Sequence, residues 1–259
     1  MNQVKPKKFL GQHFLTDLKV ASDIADTVDA CPNLPVLEVG PGMGVLTQYL
    51  LKKNRPFKVI EIDYESVPYL HEHFPELGDN IILGDFLKMD LNEAFGGKPF
   101  VLTGNYPYNI SSQIFFRMVE HKQLIPCCTG MIQKEVAERM AAEPGSKVYG
   151  VLSVLIQAWY DVEYLFTVHE NVFNPPPKVK SAVIRLTRNG KQSLGCDEAL
   201  FRRIVKTVFT QRRKMLRNPM KQILPKGCPI LADDVFNKRP EQLSVQDFIE
   251  LTNRVSEYV

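Results

Sequence analysis

Five short apolar runs rich in β-branched residues recur in the first half of the chain, at Val36–Val39, Lys58–Ile62, Ile81–Leu83, Phe100–Gly104 and Thr129–Gln133. Helical patterns separate them, at Gly44–Lys53, Ser66–Phe74, Ser111–Glu120 and Lys134–Ala141. Strand and helix in alternation leave few solutions: each strand returns to one sheet through a crossover, so the sheet is mostly parallel with helices on both faces. After the apolar helical stretch Tyr149–Tyr160 the pattern changes. Val162–Val168 and Val179–Leu186 are strand-like, and the ENVFNPPPK between them has no room for a crossover helix, so these last strands pair antiparallel.

TRNGKQSLGC (Thr187–Cys196) is polar and Gly-containing, as a linker would be. Beyond it Phe201, Ile204, Val205 and Val208 fall on one helical face. RPEQLSVQDFIELTNRV is a further helix, with Ser244 a cap before Asp247. The division expected is a Rossmann-like α/β domain over 1–187 and a small all-helical domain over 188–259.

Of 259 residues, 44% are hydrophobic and 24% charged, as in soluble globular proteins. No run approaches the ~18 apolar residues of a membrane span, and MNQVKPKKFLGQHFL lacks the apolar core of a signal peptide. A cytoplasmic protein with no membrane association is expected. Cys31, Cys127, Cys128, Cys196 and Cys228 form no CxxC pair, which favours reduced structural thiols, and neither they nor the five histidines suggest a metal site. Net charge is only +3, but Phe201–Lys221 carries eight basic residues and no acidic one, leaving 24 basic against 29 acidic residues elsewhere. Arg202, Arg203, Arg212, Arg213 and Lys214 therefore point to a polyanionic partner.

VLEVGPGMGVLTQYL carries a strand into Gly40, Gly42 and Gly44 at a helix start, where an open α/β sheet binds ligands. The spacing is G-x-G-x-G, not the dinucleotide G-x-G-x-x-G, and Glu38 just before it suits no pyrophosphate. KVIEID ends the next strand in Glu61 and Asp63, where a carboxylate can take both ribose hydroxyls. The third strand ends in Asp85 beside Phe86, an acid for an exocyclic amine and a ring to pack on adenine. Any one of these alone is as well explained by tight packing or a helix cap. Three in succession describe an adenosine cofactor without phosphates, and S-adenosylmethionine fits.

The fourth strand delivers Asn105-Tyr106-Pro107-Tyr108. The lone pair of a nucleobase amine is delocalised into its ring, so acceptors that bind both N–H groups favour pyramidalisation and free it. The Asn105 side-chain oxygen and the Tyr106 carbonyl are the candidate acceptors, Pro107 stiffens the turn, and Tyr108 can stack on the base. A plain β-turn with a core tyrosine is the alternative for the motif in isolation. Phe173, before Asn174 and three prolines, is either a second wall of that pocket or part of a rigid hairpin connection. The N-terminal KPKKFLGQHFL, with Lys7 and Lys8, is either a frayed tail or a loop over the cofactor that touches RNA.

KKFLGQHFL, VLEVGPGMGVLT, VIEID, GDFL, GNYPYNISS, VFNPPPKVKSAVIRL and FTQRRKMLRN together resemble the small-subunit ribosomal RNA adenine N6,N6-dimethyltransferase family over nearly the whole chain. The resemblance implies a class I methyltransferase sheet and methyl transfer from S-adenosylmethionine to two neighbouring adenines near the 3′ end of that rRNA, in an immature 30S particle, by a monomer. It places cofactor contacts on His13, Leu15, Gly40, Glu61, Asp85 and Asn105, and the target pocket on Asn105, Tyr108 and Phe173. Departures from the family pattern are His13 for Asn, Tyr106 for Leu and Gln113 for Pro. The rivals are the related large-subunit rRNA dimethyltransferase and a non-catalytic assembly or transcription factor on the same fold.

Overall fold

β2 (Val36–Val39) is buried along its whole length and sits near the middle of a seven-stranded sheet. The computed structural model describes Lys7, Gly11 and residues 13–259. Before β2 come β1 (Phe14–Leu15) and α1 (Leu18–Asp26), whose cap Asp17 accepts from the Lys19 and Val20 amides. After it follow α2 (Thr47–Leu50), β3 (Phe57–Glu61), α3 (Ser66–His73), β4 (Ile81–Leu83), α4 (Leu91–Ala94), β5 (Val101–Thr103), α5 (Ser111–Glu120) and β6 (Cys127–Gln133). The chain continues through α6 (Lys134–Met140), α7 (Val151–Gln157), β7 (Tyr160–Val168), β8 (Phe173–Asn174), β9 (Ser181–Arg188), α8 (Glu198–Phe209) and α9 (Val245–Ser256).

The sheet order is β4-β3-β2-β5-β6-β9-β7. The first five strands are parallel, and β9 runs antiparallel to β6 from Cys127↔Thr187 to Gln133↔Ser181. The chain works outward from β2 to β4, then jumps to β5 on the other side of β2. That reversal opens a crevice beyond the carboxyl ends of β2 and β5. A second, two-stranded sheet pairs β1 antiparallel with β8, Leu15 facing Phe173 and Phe14 facing Asn174.

Two expected elements differ locally. The helix expected from Gly44 begins at Thr47 and tightens into a 3₁₀ turn over Leu51–Lys53, ended by Asn54 in the left-handed region. The helix expected from Arg239 is split: Pro240–Gln242 is a separate 3₁₀ turn, and α9 starts after Ser244. There the Asp247 amide donates to Ser244 Oγ at 3.1 Å and the Ser244 amide to Asp247 Oδ2 at 2.8 Å.

Compactness divides the chain into Met1–Ala137 with Asp161–Arg188, and Glu138–Tyr160 with Asn189–Val259. The second unit thus takes in 138–160, which a boundary at 187 leaves with the sheet. Its core is the apolar face of α8 (Leu200, Phe201, Ile204, Val205, Val208) and that of α9, with Phe209 between the rings of Tyr149 and Phe248 at 6.3 and 6.0 Å.

The reading of the cysteines as unpaired thiols is corrected at one pair. Cys31 and Cys127 form a disulfide across 96 residues, with Cα atoms 6.0 Å apart. Strand alternation sends Cys127 to one face of the sheet and its neighbour Cys128 to the other, where it stays a buried free thiol. Among the described residues no helix is long and apolar enough to cross a membrane.

Candidate active site

The crevice at the strand ends is a cleft with about 1010 Å³ of atom-free space, its open mouth included. Its floor begins where β2 ends. Gly40 and Gly42 adopt φ of 69° and 55°, a region costly to side chains, and so present bare backbone to the cleft. A Cβ on Gly42 would lie 3.1 Å from the Phe14 ring, so the roof from β1 closes directly over the glycines.

Glu61 organises this floor. Its Oε2 accepts from the Gly42 amide at 2.9 Å and its Oε1 from the Asp63 amide at 2.8 Å, so one carboxylate ties the glycine turn to the end of β3. Burial pushes its pKa up, and the amide donors oppose the shift. Glu38, on the same floor, is 1% exposed and accepts from Thr47 Oγ1 at 2.7 Å. Burial raises its pKa to about 8; the Thr47 bond opposes that, and the nearby Glu61 charge adds to it. Burial thus favours the protonated form of Glu38.

Asp85 reaches the cleft from the end of β4, with Oδ1 accepting from the Leu87 amide at 2.9 Å and Phe86 buried beside it. The opposite wall is Asn105-Tyr106-Pro107-Tyr108, extending β5. Asn105 bridges to Met131 of β6, and Tyr106 donates its amide to the Met131 carbonyl at 2.9 Å. The Asn105 Nδ2 donates to the His13 carbonyl at 3.3 Å. Tyr108 stacks on His13 with centroids 5.5 Å apart, and its hydroxyl is hydrogen-bonded to Ser181. Burial raises the Tyr108 pKa, opposed by Ser181. His13 Nδ1 donates to the Pro175 carbonyl at 2.9 Å.

His13, Leu15, Gly40, Gly42, Glu61, Asp85 and Phe86 thus meet Asn105, Tyr106, Pro107 and Tyr108 around one cleft. Phe173 is not brought there. Opposite Leu15 it packs in the hydrophobic core, 4% exposed, and it is not among the residues that line the cleft. Asp63 is diverted as well: buried, it pairs with Lys7 Nζ at 2.6 Å. Lys7, expected on RNA, also reaches Glu65 at 3.1 Å and lies over the Tyr64 ring. Lys8 lies outside the described residues. In the second unit Arg203, Arg213 and Lys214 are exposed, and among the described residues no carboxylate pairs with them. Arg202 is half-buried on α8, and Arg212 donates to the Ser146 carbonyl at 2.9 Å.

Phe14, from the N-terminal stretch expected to fold over the cofactor, lines the cleft, as do Met43, Ile62 and Ile110, which sequence reasoning passed over. Ile62 had a signal: an isoleucine between two acids at a strand end, 51% exposed where its neighbours are buried. It supplies an apolar surface between Glu61 and Asp85.

A family model described as ribosomal RNA adenine dimethylase matches residues 3–257. Ribosomal RNA small subunit methyltransferase A of Phocaeicola vulgatus is 74% identical over 255 residues, covering 98% of this chain and 91% of its own. The protein of that name in Porphyromonas gingivalis is 61% identical over 253 residues, covering 97% and 98%. Among solved structures, a dimethyladenosine transferase from Plasmodium falciparum is similar at 26% identity and a TM-score of 0.77, over 95% of this chain and 98% of that one. The 23S rRNA methyltransferase ErmE is similar at 28% identity and a TM-score of 0.66, over 93% and 99%. The sheet is that of a class I methyltransferase, and the chain belongs to the ribosomal RNA adenine dimethylase family.

Proposed function

We propose that this protein transfers methyl groups from S-adenosylmethionine to the N6 amines of two adjacent adenines near the 3′ end of small-subunit (16S) rRNA, converting each to N6,N6-dimethyladenosine during subunit assembly. The observation that carries this is the convergence of the Gly40–Gly42 turn, the strand-end acids Glu61 and Asp85, and the Asn105–Tyr108 turn on one cleft.

The cleft fits the cofactor in shape and charge. Backbone at Gly40 and Gly42 forms the floor, Glu61 and Asp85 are placed for ribose and adenine, and among the described residues no Lys or Arg lines the cleft to hold a phosphate. His13 and Leu15 close it from above, with Phe86 beneath Asp85. When bound, S-adenosylmethionine supplies an electrophilic methyl group on a sulfonium, a cation that acidic surroundings favour.

On the acceptor side, the Asn105 amide nitrogen is committed to the His13 carbonyl, which leaves Oδ1 to accept one N6–H. The Tyr106 carbonyl accepts the other. Held this way the amine pyramidalises and its lone pair is localised for attack. The methylated nitrogen then carries an acidic proton that leaves readily, so no strong base is required. Tyr108 stacks on the adenine, taking the face on which it now meets His13.

Arg202, Arg203, Arg213 and Lys214 engage rRNA phosphates and fix orientation rather than read sequence. An immature 30S particle is the substrate, met by a monomer in the cytoplasm. Unmethylated small subunits incubated with labelled S-adenosylmethionine should yield labelled N6,N6-dimethyladenosine on nucleotide analysis. Label in large-subunit rRNA instead, or none, would overturn the assignment.

A further inference from the structure

Tyr106 carries a side chain that the acceptor role of its carbonyl does not use. It is 1% exposed, and its hydroxyl lies 3.0 Å from the Thr129 carbonyl and 3.1 Å from Cys128 Sγ, both on β6. We infer that the Tyr106 side chain is a positioning residue: its phenol pegs the Asn105–Tyr108 turn to β6 and so holds the Asn105 oxygen and Tyr106 carbonyl at the spacing an adenine amine requires. The inference rests on the reading of this turn as the acceptor site.

The hydrogens balance at the peg. The phenol donates to the Thr129 carbonyl, and the Cys128 thiol donates to the phenol oxygen. Burial pushes Cys128 up to about 12 and Tyr106 well above its ordinary value, so both protons stay in place. The anchor is itself fixed. Thr129 is fully buried, its hydroxyl donates to the Ile184 carbonyl at 2.9 Å, and it lies 2.6 Å from the Thr27 hydroxyl.

β6 is shaped to receive the ring. A Cβ at Gly130 would fall 2.7 Å from Tyr106 Cε2 and 2.3 Å from the Gly104 oxygen, so any side chain there would exclude the phenol. Phe115 meets the same ring edge-on, with centroids 5.4 Å apart. The main chain is held separately, by the Tyr106 amide on the Met131 carbonyl at 2.9 Å and the Met131 amide on the Gly104 carbonyl at 3.0 Å. Backbone bonds on β6 could still let the turn swivel. The phenol adds a third attachment at a different depth and removes that freedom.

The test is Y106F, which keeps the ring and loses the peg, with Y106M as a second variant that fills much of the volume without a hydroxyl. Methyl transfer is followed on unmethylated small subunits, and cofactor affinity by calorimetry with S-adenosylhomocysteine. Both variants should lose kcat by about 10- to 100-fold, the cost of a small misplacement of reacting groups, with KM for the subunit and cofactor affinity within about twofold of wild type. Wild-type kcat in Y106F, or a kcat loss matched by equal losses of cofactor affinity and of folded protein in both variants, overturns the inference. N105A separates the two levels. An active N105A sinks the acceptor site itself, whereas an inactive N105A beside a fully active Y106F sinks only the peg.

Discussion

The side-chain amide of Asn105 donates to the main-chain carbonyl of His13, 92 residues earlier in the chain, at 3.3 Å. One residue thereby joins the roof of the cleft to its Asn105–Tyr108 wall, and the bond orients the amide. Asn105→Ala removes both the orientation and the acceptor oxygen, and should lower methyl transfer by at least about 100-fold while cofactor affinity changes only a few-fold. Asn105→Asp should fail as well, because a carboxylate cannot donate to His13. Transfer of labelled methyl groups to unmethylated small subunits reads both variants; near-normal rates would refute the role.

Glu61 is the second pivot. Glu61→Gln replaces one acceptor oxygen with an NH₂ that faces either the Gly42 or the Asp63 amide, donor against donor. Losing one charge-assisted hydrogen bond is worth about 1.5–3 kcal/mol, so S-adenosylhomocysteine should bind about 10- to 100-fold more weakly. Calorimetric titration decides, and unchanged affinity would remove Glu61 from the cofactor site.

Glu38 makes stability depend on pH. Its pKa rises from the ordinary 4.5 to about 8 in the folded state. Between those values the folded protein holds a proton that the unfolded chain has lost, so stability falls as pH rises through the window and levels off above about 8. The slope from this one group approaches about 1.4 kcal/mol per pH unit. Glu38→Gln should be flatter than wild type from pH 5 to 8, as measured by denaturant unfolding at several pH values. Parallel curves for the two proteins would show that Glu38 ionises normally.

Gly104 follows β5 directly, beside Val39 at the end of β2. A Cβ there would lie 2.6 Å from the Val39 carbonyl oxygen, which is backbone and cannot swing aside. Gly104→Ala should cost about 1–3 kcal/mol as overpacking and also weaken cofactor binding, because Val39 leads directly into Gly40. A melting temperature equal to wild type would show that the strands separate freely.

The exposed cations of the second unit should set the salt dependence of RNA binding. Neutralising Arg203, Arg213 and Lys214 together should reduce the slope of log affinity against log salt by about two to three, with little change in cofactor affinity. Binding titrations across salt concentrations measure it, and an unaltered slope would place the RNA elsewhere.

Most of the sheet was legible because periodicity is local: Val36–Val39, Ile81–Leu83 and Ser111–Glu120 fall where the apolar patterns put them. The cleft was legible because its acids end consecutive strands of a parallel sheet, and topology alone collects strand ends. What was not legible depends on pairing at long range. β1 and β8 are two residues each and too short for any pattern, so the burial of Phe173 opposite Leu15 was out of reach. So was the disulfide from Cys31 to Cys127. Lys7 looked like an RNA contact because its partner Asp63 is 56 residues away. Tyr106 was a puzzle in one dimension, since the glycine that makes room for it stands on another strand.

The two-residue ladder of β1 and β8 bears on turnover. Each dimethyladenosine consumes two cofactor molecules, so the cleft has to be emptied and refilled before one base is finished. The floor belongs to a seven-stranded sheet and cannot yield without unfolding. The roof hangs from a ladder of two residue pairs, helped by side-chain ties at Lys7, His13 and Asn105. On the proposed reaction, the roof is the hem of the cleft, joined by fewer bonds than the seams of the sheet beneath it.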